Sequence, residues 1–491
     1  MTKTAIVIGA GVGGLATAIR LASLGLQVSV FEKNPVAGGK IGQIREKGYR
    51  FDTGPSLFTL PHLVDEISPE SAPGLEYKKL DTISRYFFED QSIFTASADP
   101  LLFTQEMARI TGENQEKISR FLTDAAELYR RTSPLFLFSA FHRFSTLLTT
   151  KSLGVMAGML KFNPFRSMHA HNKKAFESEK TIQLFDRYAT YNGSDPFRAP
   201  ATLNMIAHLE HNLGAYLPVG GIFRIVEHLY EIAVNADVVF HFEQEVDEIL
   251  IENKRAQGVK VDGKVHPADV VVSAGDVFKT WSQLISQIKA PRAVKNQDLS
   301  TSAMIFYMGI RKTFEQLDLH NIFFSGNYTE EFRSLSPKEF YTPFEDPTVY
   351  IYNSSLLNPD DAPSGGSNLF VMINTPHNRG EDWNEQVQIA RKHIIRKLQR
   401  FGIDLSSGIE FEQVATPESI EALTLSTAGA LYGNSSNSTM SAFNRHPNFS
   451  RKIKNLFFAG GSVHPGGGIP LCLASAKIVE HEVQSFLKIR S

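Results

Sequence analysis

The chain has 491 residues, of which 42% are hydrophobic and 21% are charged, as is typical of a globular protein with a sizeable core. Its formal net charge of −2 shows no basic excess, so we expect no nucleic-acid partner. The single cysteine, Cys472, excludes an intrachain disulfide framework and a thiolate metal cluster, and we expect no metal site.

The start of the chain lacks the features of a signal peptide, because it leads directly into an apolar strand pattern. No apolar run reaches the roughly 18 residues that a transmembrane helix needs. We therefore expect a cytoplasmic protein without a membrane span.

The first elements in chain order are a strand, a helix and a second strand. Residues 4–8 form a short apolar run, residues 15–24 have helical spacing, and residues 26–31 alternate like a strand that ends at Glu32. This order is typical of the first half of a doubly wound α/β sheet, which binds dinucleotides.

Three glycines in the spacing GxGxxG join the first strand to the helix. Gly9 permits a tight turn, Gly11 lets the backbone approach a pyrophosphate, and Gly14 lets the helix pack against the strand. The helix N-terminus offers free N–H groups to the phosphates, and Glu32 can accept hydrogen bonds from ribose hydroxyls. An acid at position 32 disfavours NADP, whereas NAD and FAD both use such a unit.

A second glycine-rich segment follows the second strand. Residues 34–42 include Gly39 and Lys40, and residues 48–56 read GYRFDTGPS. These turns would bring more backbone close to an extended ligand. Lys40 is expected on a phosphate or a flavin, or alternatively in solvent as an ordinary loop lysine.

The combined pattern GxGxxG…E…GGK…GYxFDxGP resembles the flavoprotein superfamily of amine oxidases, protoporphyrinogen oxidases and phytoene-desaturase-type enzymes. Within that superfamily, the run through residues 59–61 is most similar to the bacterial carotenoid desaturases. Residues 429–446 and the loop GGSVHPGGGIP at residues 460–470 carry the same resemblance. The resemblance implies FAD as the cofactor.

The resemblance also implies which residues contact FAD, including Val246, whose position faces the adenine through its backbone. The expected contacts are Gly9, Gly11, Gly14, Glu32, Lys33, Gly39, Lys40, Gly54, Pro55, Ser56, Val246, Gly461, Ser462, Gly468, Ile469 and Pro470. Some relatives carry an Asp/Arg pair proposed as catalytic, but residues 149–156 contain none, so no catalytic residue is predicted. His464 is expected in a structural turn, and Cys472 is expected to be a small buried residue.

The implied fold is α/β, with a discontinuous Rossmann-like FAD-binding domain, a mixed-sheet substrate domain and a helical membrane-facing cap. Strand patterns of the substrate sheet occur at residues 303–308, 348–352 and 368–374. The expected boundaries are 1–75, 215–280 and 448–491 for the FAD-binding domain, 76–95 and 281–447 for the substrate domain, and 96–214 for the cap.

An aromatic stretch without acidic residues lies within the predicted cap. Residues 130–175 contain no Asp or Glu, and residues 136–165 hold six of the 36 phenylalanines. Apolar residues accompanied only by basic charges are typical of a helix at a membrane interface. We expect this stretch to face the membrane, with the protein peripheral on the inner face of the cell membrane. The alternative is a buried helical cap.

The function implied by the resemblance is FAD-dependent desaturation of an acyclic carotenoid, by hydride transfer to flavin and loss of a proton. Similarity over the whole chain is greatest to the subgroup that introduces a 3,4 double bond next to a 1-hydroxylated end. Candidates for a polar contact with that hydroxyl are Arg166, His169, His171 and Asp186, with a surface or cap position as the favoured alternative for each. A quinone or dioxygen would reoxidise the flavin.

Three alternative functions remain open at this point. The first is a multi-step phytoene or diapophytoene desaturase with the same apolar tunnel. The second is an amine oxidase, although the Asp that such enzymes usually carry near position 462 is absent. The third is a flavin-bearing carrier of carotenoid or prenyl cargo that performs no redox chemistry.

Overall fold

The structure is a computed structural model that describes residues 2–69, 74–159, 165–296, 298–336 and 340–489. Its strands are β1 (Thr4–Ile8), β2 (Gln27–Phe31), β3 (Gly42–Glu46), β4 (Tyr49–Thr53), β5 (Tyr77–Lys79), β6 (Thr82–Phe87), β7 (Ile93–Ser97), β8 (Tyr216–Pro218), β9 (Val239–His241), β10 (Val246–Glu252), β11 (Arg255–Val261), β12 (Lys264–Pro267), β13 (Val270–Ser273), β14 (Ser302–Ile310), β15 (His320–Phe323), β16 (Val349–Asn353), β17 (Ser367–Thr375), β18 (Ile409–Ala415) and β19 (Leu456–Phe458).

Its helices are α1 (Val12–Ser23), α2 (His62–Asp65), α3 (Pro100–Thr111), α4 (Gln115–Phe136), α5 (Phe144–Leu147), α6 (Thr150–Met159), α7 (Met168–Ala175), α8 (Glu179–Asp186), α9 (Met205–His208), α10 (Phe223–Asn235), α11 (Val277–Lys279), α12 (Arg292–Lys295), α13 (Tyr328–Ser334), α14 (Trp383–Gln399), α15 (Pro417–Thr424), α16 (Ser441–Asn444) and α17 (Ile469–Leu487). Within the described ranges, none of them is both long enough and apolar enough to cross a membrane.

A parallel five-stranded sheet, in the order β19-β13-β1-β2-β9, is built from the beginning, the middle and the end of the chain. β1 is buried on both faces, as its uninterrupted apolar run predicts. Ala5 and Val7 pack in the core shared with α1, α10 and α17, whereas Ile6 and Ile8 pack against the antiparallel meander β10-β11-β12. The predicted α/β fold with a Rossmann-like unit is confirmed.

Helix α1 lies close to β1 because glycines remove the side chains that would separate them. A Cβ on Gly14 would lie 2.0 Å from the carbonyl oxygen of Gly9, and one on Gly13 would lie 2.8 Å from the Cα of Gly460. Gly9 itself has a φ of +98°, a conformation that glycine tolerates. The start of α1 is thereby held against both the first strand and the loop after the last strand.

A mixed seven-stranded sheet forms the second unit, in the order β18-β14-β17-β16-β15-β6-β7. The sequence patterns identified β14, β16 and β17 but not the other four strands. Alternate residues of β14 point to opposite faces, so Met304 and Phe306 pack in the core shared with α14. Ile305 and Tyr307 face the other way and line a large cavity.

The helices between β7 and β8 form a cap, and they line the opposite side of the same cavity. α4 begins at the side-chain cap of Asn114 and runs for 22 residues. Thr132 and Phe136 near its end line the cavity together with Met205 and Ile206 of α9. The cavity is therefore enclosed between a sheet and helices.

The aromatic stretch at residues 136–165 belongs partly to the core, which corrects the prediction that the stretch as a whole faces the membrane. Phe141 is 1% exposed and meets His464 edge-on, with the two ring centroids 4.7 Å apart. It also contacts Phe136, with the two ring centroids 5.2 Å apart. The prediction fails here because the apolar composition of a segment does not reveal which of its side chains face the core. Residues 160–164 lie outside the described residues. Among the side chains of the stretch that the structure describes, the exposed large apolar ones are Leu148, Met156 and Phe165.

Candidate functional site

A cavity of about 1400 Å³ lies where the two large sheets and the cap meet. It begins at the carboxyl ends of β1 and β2, the edge at which parallel α/β sheets bind ligands. From there it extends over the second sheet, from Ala415 on β18 to Ser84 on β6. Its volume exceeds the roughly 300–1000 Å³ of a pocket for one small molecule. The cavity therefore has room for a dinucleotide and a second ligand.

The N-terminus of α1 opens into this cavity without a side chain that caps it. Gly11 is its N-cap residue, and its first turn contains no acidic residue. Gly11 forms a bridge with Gly38, and a Cβ on Gly39 would lie 3.1 Å from the Cα of Gly11. Free N–H groups and the positive end of the helix dipole are thus available to a phosphate.

Glu32 lies at the end of β2, is 7% exposed and lines the cavity. Its Oε2 accepts the N–H of Ala10 at 2.7 Å, and its Oε1 accepts the N–H of Asn34 at 2.9 Å. Because a carboxylate has about four acceptor positions, each oxygen retains capacity for a ligand hydroxyl.

Asp52 connects the GYRFDTGPS segment to the start of α10. Its carboxylate accepts the N–H of Ile222 at 2.9 Å and the N–H of Phe223 at 3.0 Å. Arg50 donates to Asp52 at 2.7 Å and to Asp361 at 3.2 Å, and all three of these side chains are buried. The buried group of Asp52, Arg50 and Asp361 fixes the position of the turn at residues 54–56. This turn lines the cavity.

The loop at residues 460–468 forms the wall opposite that turn, and its glycines pack against other backbone. A Cβ on Gly461 would lie 3.1 Å from the Cα of Gly467, and one on Gly467 would lie 2.8 Å from the Cα of Tyr432. α17 follows with Gly468 as its N-cap, no side-chain cap and no acidic residue in its first turn. A second bare helix N-terminus therefore borders the cavity.

Lys40 and Arg445 are two of the cations that line the cavity. Lys40 donates to the carbonyl oxygens of Ala430 at 2.9 Å and Leu431 at 2.6 Å, and enclosure by the protein lowers the pKa of its ammonium to about 8. Arg445 donates through Nη2 to the carbonyl oxygen of Asn434 at 2.9 Å, but its buried Nη1 has no partner among the described residues. Burial lowers the pKa of Arg445 to about 10. Both groups suit an electron-rich part of a ligand.

The structure brings together the residues that the sequence analysis assigned to FAD, with one exception. All of them line the cavity except Gly14, which instead lets α1 pack against β1. Lys33 donates to the carbonyl oxygen of Ala422 at 3.0 Å, and Ser462 accepts the N–H of Val277 at 2.9 Å. Their contacts with a cofactor stay predictions.

His464 and Cys472 line the same cavity in uncharged forms. The Nε2 of His464 lies 3.0 Å from the carbonyl oxygen of Ser139, and burial lowers the pKa of this histidine well below its usual value. Burial raises the pKa of the Cys472 thiol to about 11. A neutral thiol of this kind is not a reactive nucleophile.

The four candidates for a contact with the substrate hydroxyl do not line the cavity, in agreement with the alternative that they are surface or cap residues. His169 and Asp186 pair with each other at 2.6 Å, away from the cavity. Arg166 and His171 do not line it either. The polar side chains that line the cavity at its end under β6 and β15 include Arg187, Tyr191, His320 and Tyr350. The sequence does not show that these residues meet, because they come from the cap, from β16 and from β15, a strand that was not predicted. The arginine within the aromatic run at residues 185–191 was a usable signal.

The donors and acceptors of the cavity fit FAD. The bare N-terminus of α1 suits a pyrophosphate, and Glu32 suits a ribose. The unpartnered Nη1 of Arg445 is an orphaned buried donor that an electron-rich ring edge would satisfy. The glycine turns bring backbone segments around the cavity so close together that Cβ atoms would push them apart.

The chain is similar over most of its length to known flavin-dependent proteins. A family model described as flavin-containing amine oxidoreductase matches residues 12–479. The chain is 47% identical over 481 residues to a 1-hydroxycarotenoid 3,4-desaturase of Flavobacterium sp., covering 97% of this chain and 98% of that one. It is 31% identical over 512 residues to a phytoene desaturase of Fusarium fujikuroi, covering 98% of this chain and 89% of that one.

Solved structures are similar in fold at low sequence identity. The structure of a triple mutant of putrescine oxidase aligns with a TM-score of 0.64 at 13% identity, covering 99% of both chains. At this identity the likeness concerns the fold alone.

We expect Asp52→Asn to lower both the stability and the flavin content of the purified protein. The amide would leave Arg50 with Asp361 alone, and breaking a buried ion pair by removing one partner costs about 3–5 kcal/mol. Thermal unfolding and the visible absorbance of bound flavin would measure the two effects. Asp65→Asn, at an exposed carboxylate that accepts a hydrogen bond from Tyr77, is the matched control. Equal melting temperatures for the two variants would contradict the role given to Asp52.

Proposed function

The chain belongs to the flavin-containing amine oxidoreductase family, and we propose that within this family it is a carotenoid desaturase. It is an FAD-dependent oxidoreductase. The proposed substrate is an acyclic carotenoid with a hydroxyl at position 1, and the proposed product carries a new double bond between positions 3 and 4. The observation that carries the proposal is the near full-length similarity to an enzyme named for this reaction.

The wall of the cavity over the second sheet supports an apolar, extended substrate. Its side chains on β14, β15 and β17 include Ile305, Tyr307, Ile322, Phe370 and Met372. The wall crosses six neighbouring strands, from β18 to β6, which at about 4.8 Å between strands amounts to about 24 Å. A polyene has few polar groups, so burial at about 25 cal/mol per Å² of apolar surface would supply most of its binding free energy.

The reaction removes two hydrogens from neighbouring carbons, one as a hydride and one as a proton. When bound, FAD supplies the acceptor for the hydride. The residues of this chain would hold the polyene in a fixed orientation, between the sheet on one side and Phe136 and Leu209 of the cap on the other. The same apolar side chains would exclude water from the reacting carbons.

The proposed cofactor contacts follow the geometry of the cavity. The N-terminus of α1 would bind the pyrophosphate and Glu32 the adenosine ribose, with Val246 beside the adenine. The turn at residues 54–56 and the loop at residues 461–470 would contact the flavin. In this proposal the five-stranded sheet and its helices hold FAD, while the seven-stranded sheet and the cap hold the carotenoid.

The charged side chains that line the cavity disfavour an amine as the substrate. The acidic residues that line it are Glu32, Glu245 and Asp276, and all three follow strands of the five-stranded unit or precede its meander. The described wall over the seven-stranded sheet and cap carries Arg187 and no carboxylate. The charge of Arg187 is balanced by Glu210 behind the wall, so a protonated amine would find no unpaired carboxylate there to serve as its counter-ion.

A multi-step phytoene desaturase is the second candidate function. The 31% identity to a phytoene desaturase favours it, and the same apolar wall would accept an end without a hydroxyl. The two candidates differ in the substrate used and in the number of double bonds formed.

We expect co-expression of the full chain to change the pigment of a host that accumulates a 1-hydroxylated acyclic carotenoid. Each added conjugated double bond would shift its absorption to longer wavelength and remove two hydrogens from its mass, and chromatography with mass spectrometry would measure both changes. Hosts that accumulate phytoene or lycopene are the parallel arms. Conversion of phytoene in several steps would favour the second candidate function. Absence of conversion in every host would contradict the desaturase proposal.

We also propose that the enzyme acts as a peripheral protein on the inner face of the cell membrane, because its substrate dissolves in lipid. Leu148 and Phe165 are 70% and 79% exposed and belong to the acid-free stretch of the cap. α6 in this stretch packs against α4, whose end lines the cavity. The proposed electron acceptor is a quinone, which would share the bilayer with the substrate, or dioxygen.

The membrane proposal predicts that the double variant Leu148→Ser and Phe165→Ser binds liposomes at least about tenfold more weakly than the unchanged chain. Each side chain would contribute about 1.5–3 kcal/mol when buried in lipid. The control pair is Leu356→Ser and Phe340→Ser, which are 54% and 76% exposed outside the cap. Flotation with anionic liposomes is the measurement, and equal loss of binding in both pairs would rule out the cap as the docking surface.

A further inference from the structure

The end of the cavity under β15 and β6 is polar, in contrast to the apolar wall that leads to it. Ser84, Arg187, Tyr191 and His320 line this end. An apolar polyene accounts for the wall but gives these side chains no role. The donor and acceptor atoms that have no partner in this set indicate which ligand group would bind there.

His320 is buried, with 2% of its surface exposed, and its ring stacks on Tyr352 at a centroid distance of 5.1 Å. Its Nδ1 lies 2.7 Å from the hydroxyl oxygen of Tyr350, which in turn lies 2.6 Å from the Oγ of Ser56. Its Nε2 is buried and has no hydrogen-bond partner among the described residues. Burial, assisted by the nearby charge of Arg187, lowers the pKa of His320 to about 3. The imidazole is therefore neutral and has one unused nitrogen.

Arg187 provides a second unused group at the same end. Its guanidinium carbon lies 5.0–5.2 Å from the ring centroids of Tyr86, Tyr188 and Tyr191. Its Nη2 donates to the Tyr86 hydroxyl at 2.7 Å and to Glu210 at 3.4 Å. Its Nε is buried without a partner among the described residues. Glu210 balances its charge, so this end of the cavity carries no net charge.

These two unused groups define the chemistry of the ligand group that would bind them. Unpaired buried polar groups cost free energy, so a group that pairs with both is favoured. An ammonium has no lone pair with which to accept from the Nε of Arg187, and a carboxylate has no proton to donate to the Nε2 of His320. A hydroxyl is neutral and both donates and accepts. With the imidazole proton on Nδ1, it could donate to the Nε2 of His320 and accept from the Nε of Arg187.

We propose that His320 and Arg187 bind the terminal hydroxyl of the carotenoid and so select hydroxylated ends over unhydroxylated ones. This inference rests on the proposed function and names the groups that would give it specificity. Tyr350 acts as a positioning residue, because its hydroxyl joins the imidazole to Ser56.

The position of this pocket agrees with the chemistry of 3,4-desaturation. In a 1-hydroxylated chain, three bonds of about 1.5 Å separate the oxygen from carbon 3. The hydroxyl must therefore be bound next to the reacting carbons. Ser56 ends the turn proposed to contact the flavin, and one Tyr350 hydroxyl connects it to His320. A hydroxyl held by His320 would thus lie beside that turn.

The test compares kcat/KM of the flavin-loaded full chain for a 1-hydroxylated acyclic carotenoid and for the same carotenoid without the hydroxyl. We expect the unchanged chain to prefer the hydroxylated substrate. His320→Phe keeps a ring of similar size but removes both nitrogens, and it should reduce this preference at least about tenfold. Ile322→Ala, on the same strand and the same cavity wall, should weaken both substrates alike and leave the preference unchanged.

Flavin absorbance and thermal unfolding report whether His320→Phe still folds. Tyr350→Phe retains the ring and removes only the hydroxyl that orients His320, and it should lower the preference in the same direction. Equal use of both substrates by the unchanged chain would overturn hydroxyl selection while leaving the desaturase proposal intact. An unchanged substrate preference in both His320→Phe and Tyr350→Phe would also overturn the role proposed for these residues in hydroxyl selection. Failure of the unchanged chain on every carotenoid would overturn the proposed function itself.

Discussion

The carboxylate of Asp52 joins segments of the chain that are far apart in sequence, and the position of the cavity depends on it. It caps the start of α10 and pairs with Arg50, which reaches Asp361 just before β17. The hairpin of β3 and β4, helix α10 and the second sheet are thereby held at one buried point. The turn at residues 54–56 follows this hairpin directly and lines the cavity, so its position is set by the same contacts.

Glycine contacts complete this arrangement on the other side of the cavity. Gly11 meets the turn at residues 38–39, and Gly13 meets Gly460, because no side chain keeps these backbones apart. The two helices that begin here have neither a capping side chain nor an acidic residue in their first turns. The unsatisfied N–H groups left at these ends are the physical basis for a cofactor site in this position.

Much of this could be read from the sequence, because local patterns report local structure. The unit β1-α1-β2, Glu32 and the C-terminal loop were predicted from glycine spacing and from runs of apolar residues. β6, β7 and β15 were missed because short strands of mixed polarity have no clear period. β18 was missed although residues 409–412 alternate between apolar and acidic side chains. Phe141 lies within the stretch that is predicted to face the membrane, but its side chain is buried. Composition alone does not reveal which side chains of a segment pack inward. The pair of His320 and Arg187 could not be predicted, since only the folded chain brings residues 133 positions apart to one end of a cavity.

The central claim is that this chain oxidises a hydroxylated acyclic carotenoid with its own flavin. Its most direct test is to mix the flavin-loaded protein with that carotenoid in the absence of dioxygen and to follow the visible flavin absorbance. The account predicts that the flavin is reduced once for each double bond formed, with the desaturated carotenoid recovered in equal amount. A carotenoid that binds while the flavin stays oxidised would contradict it and would identify the protein as a carrier.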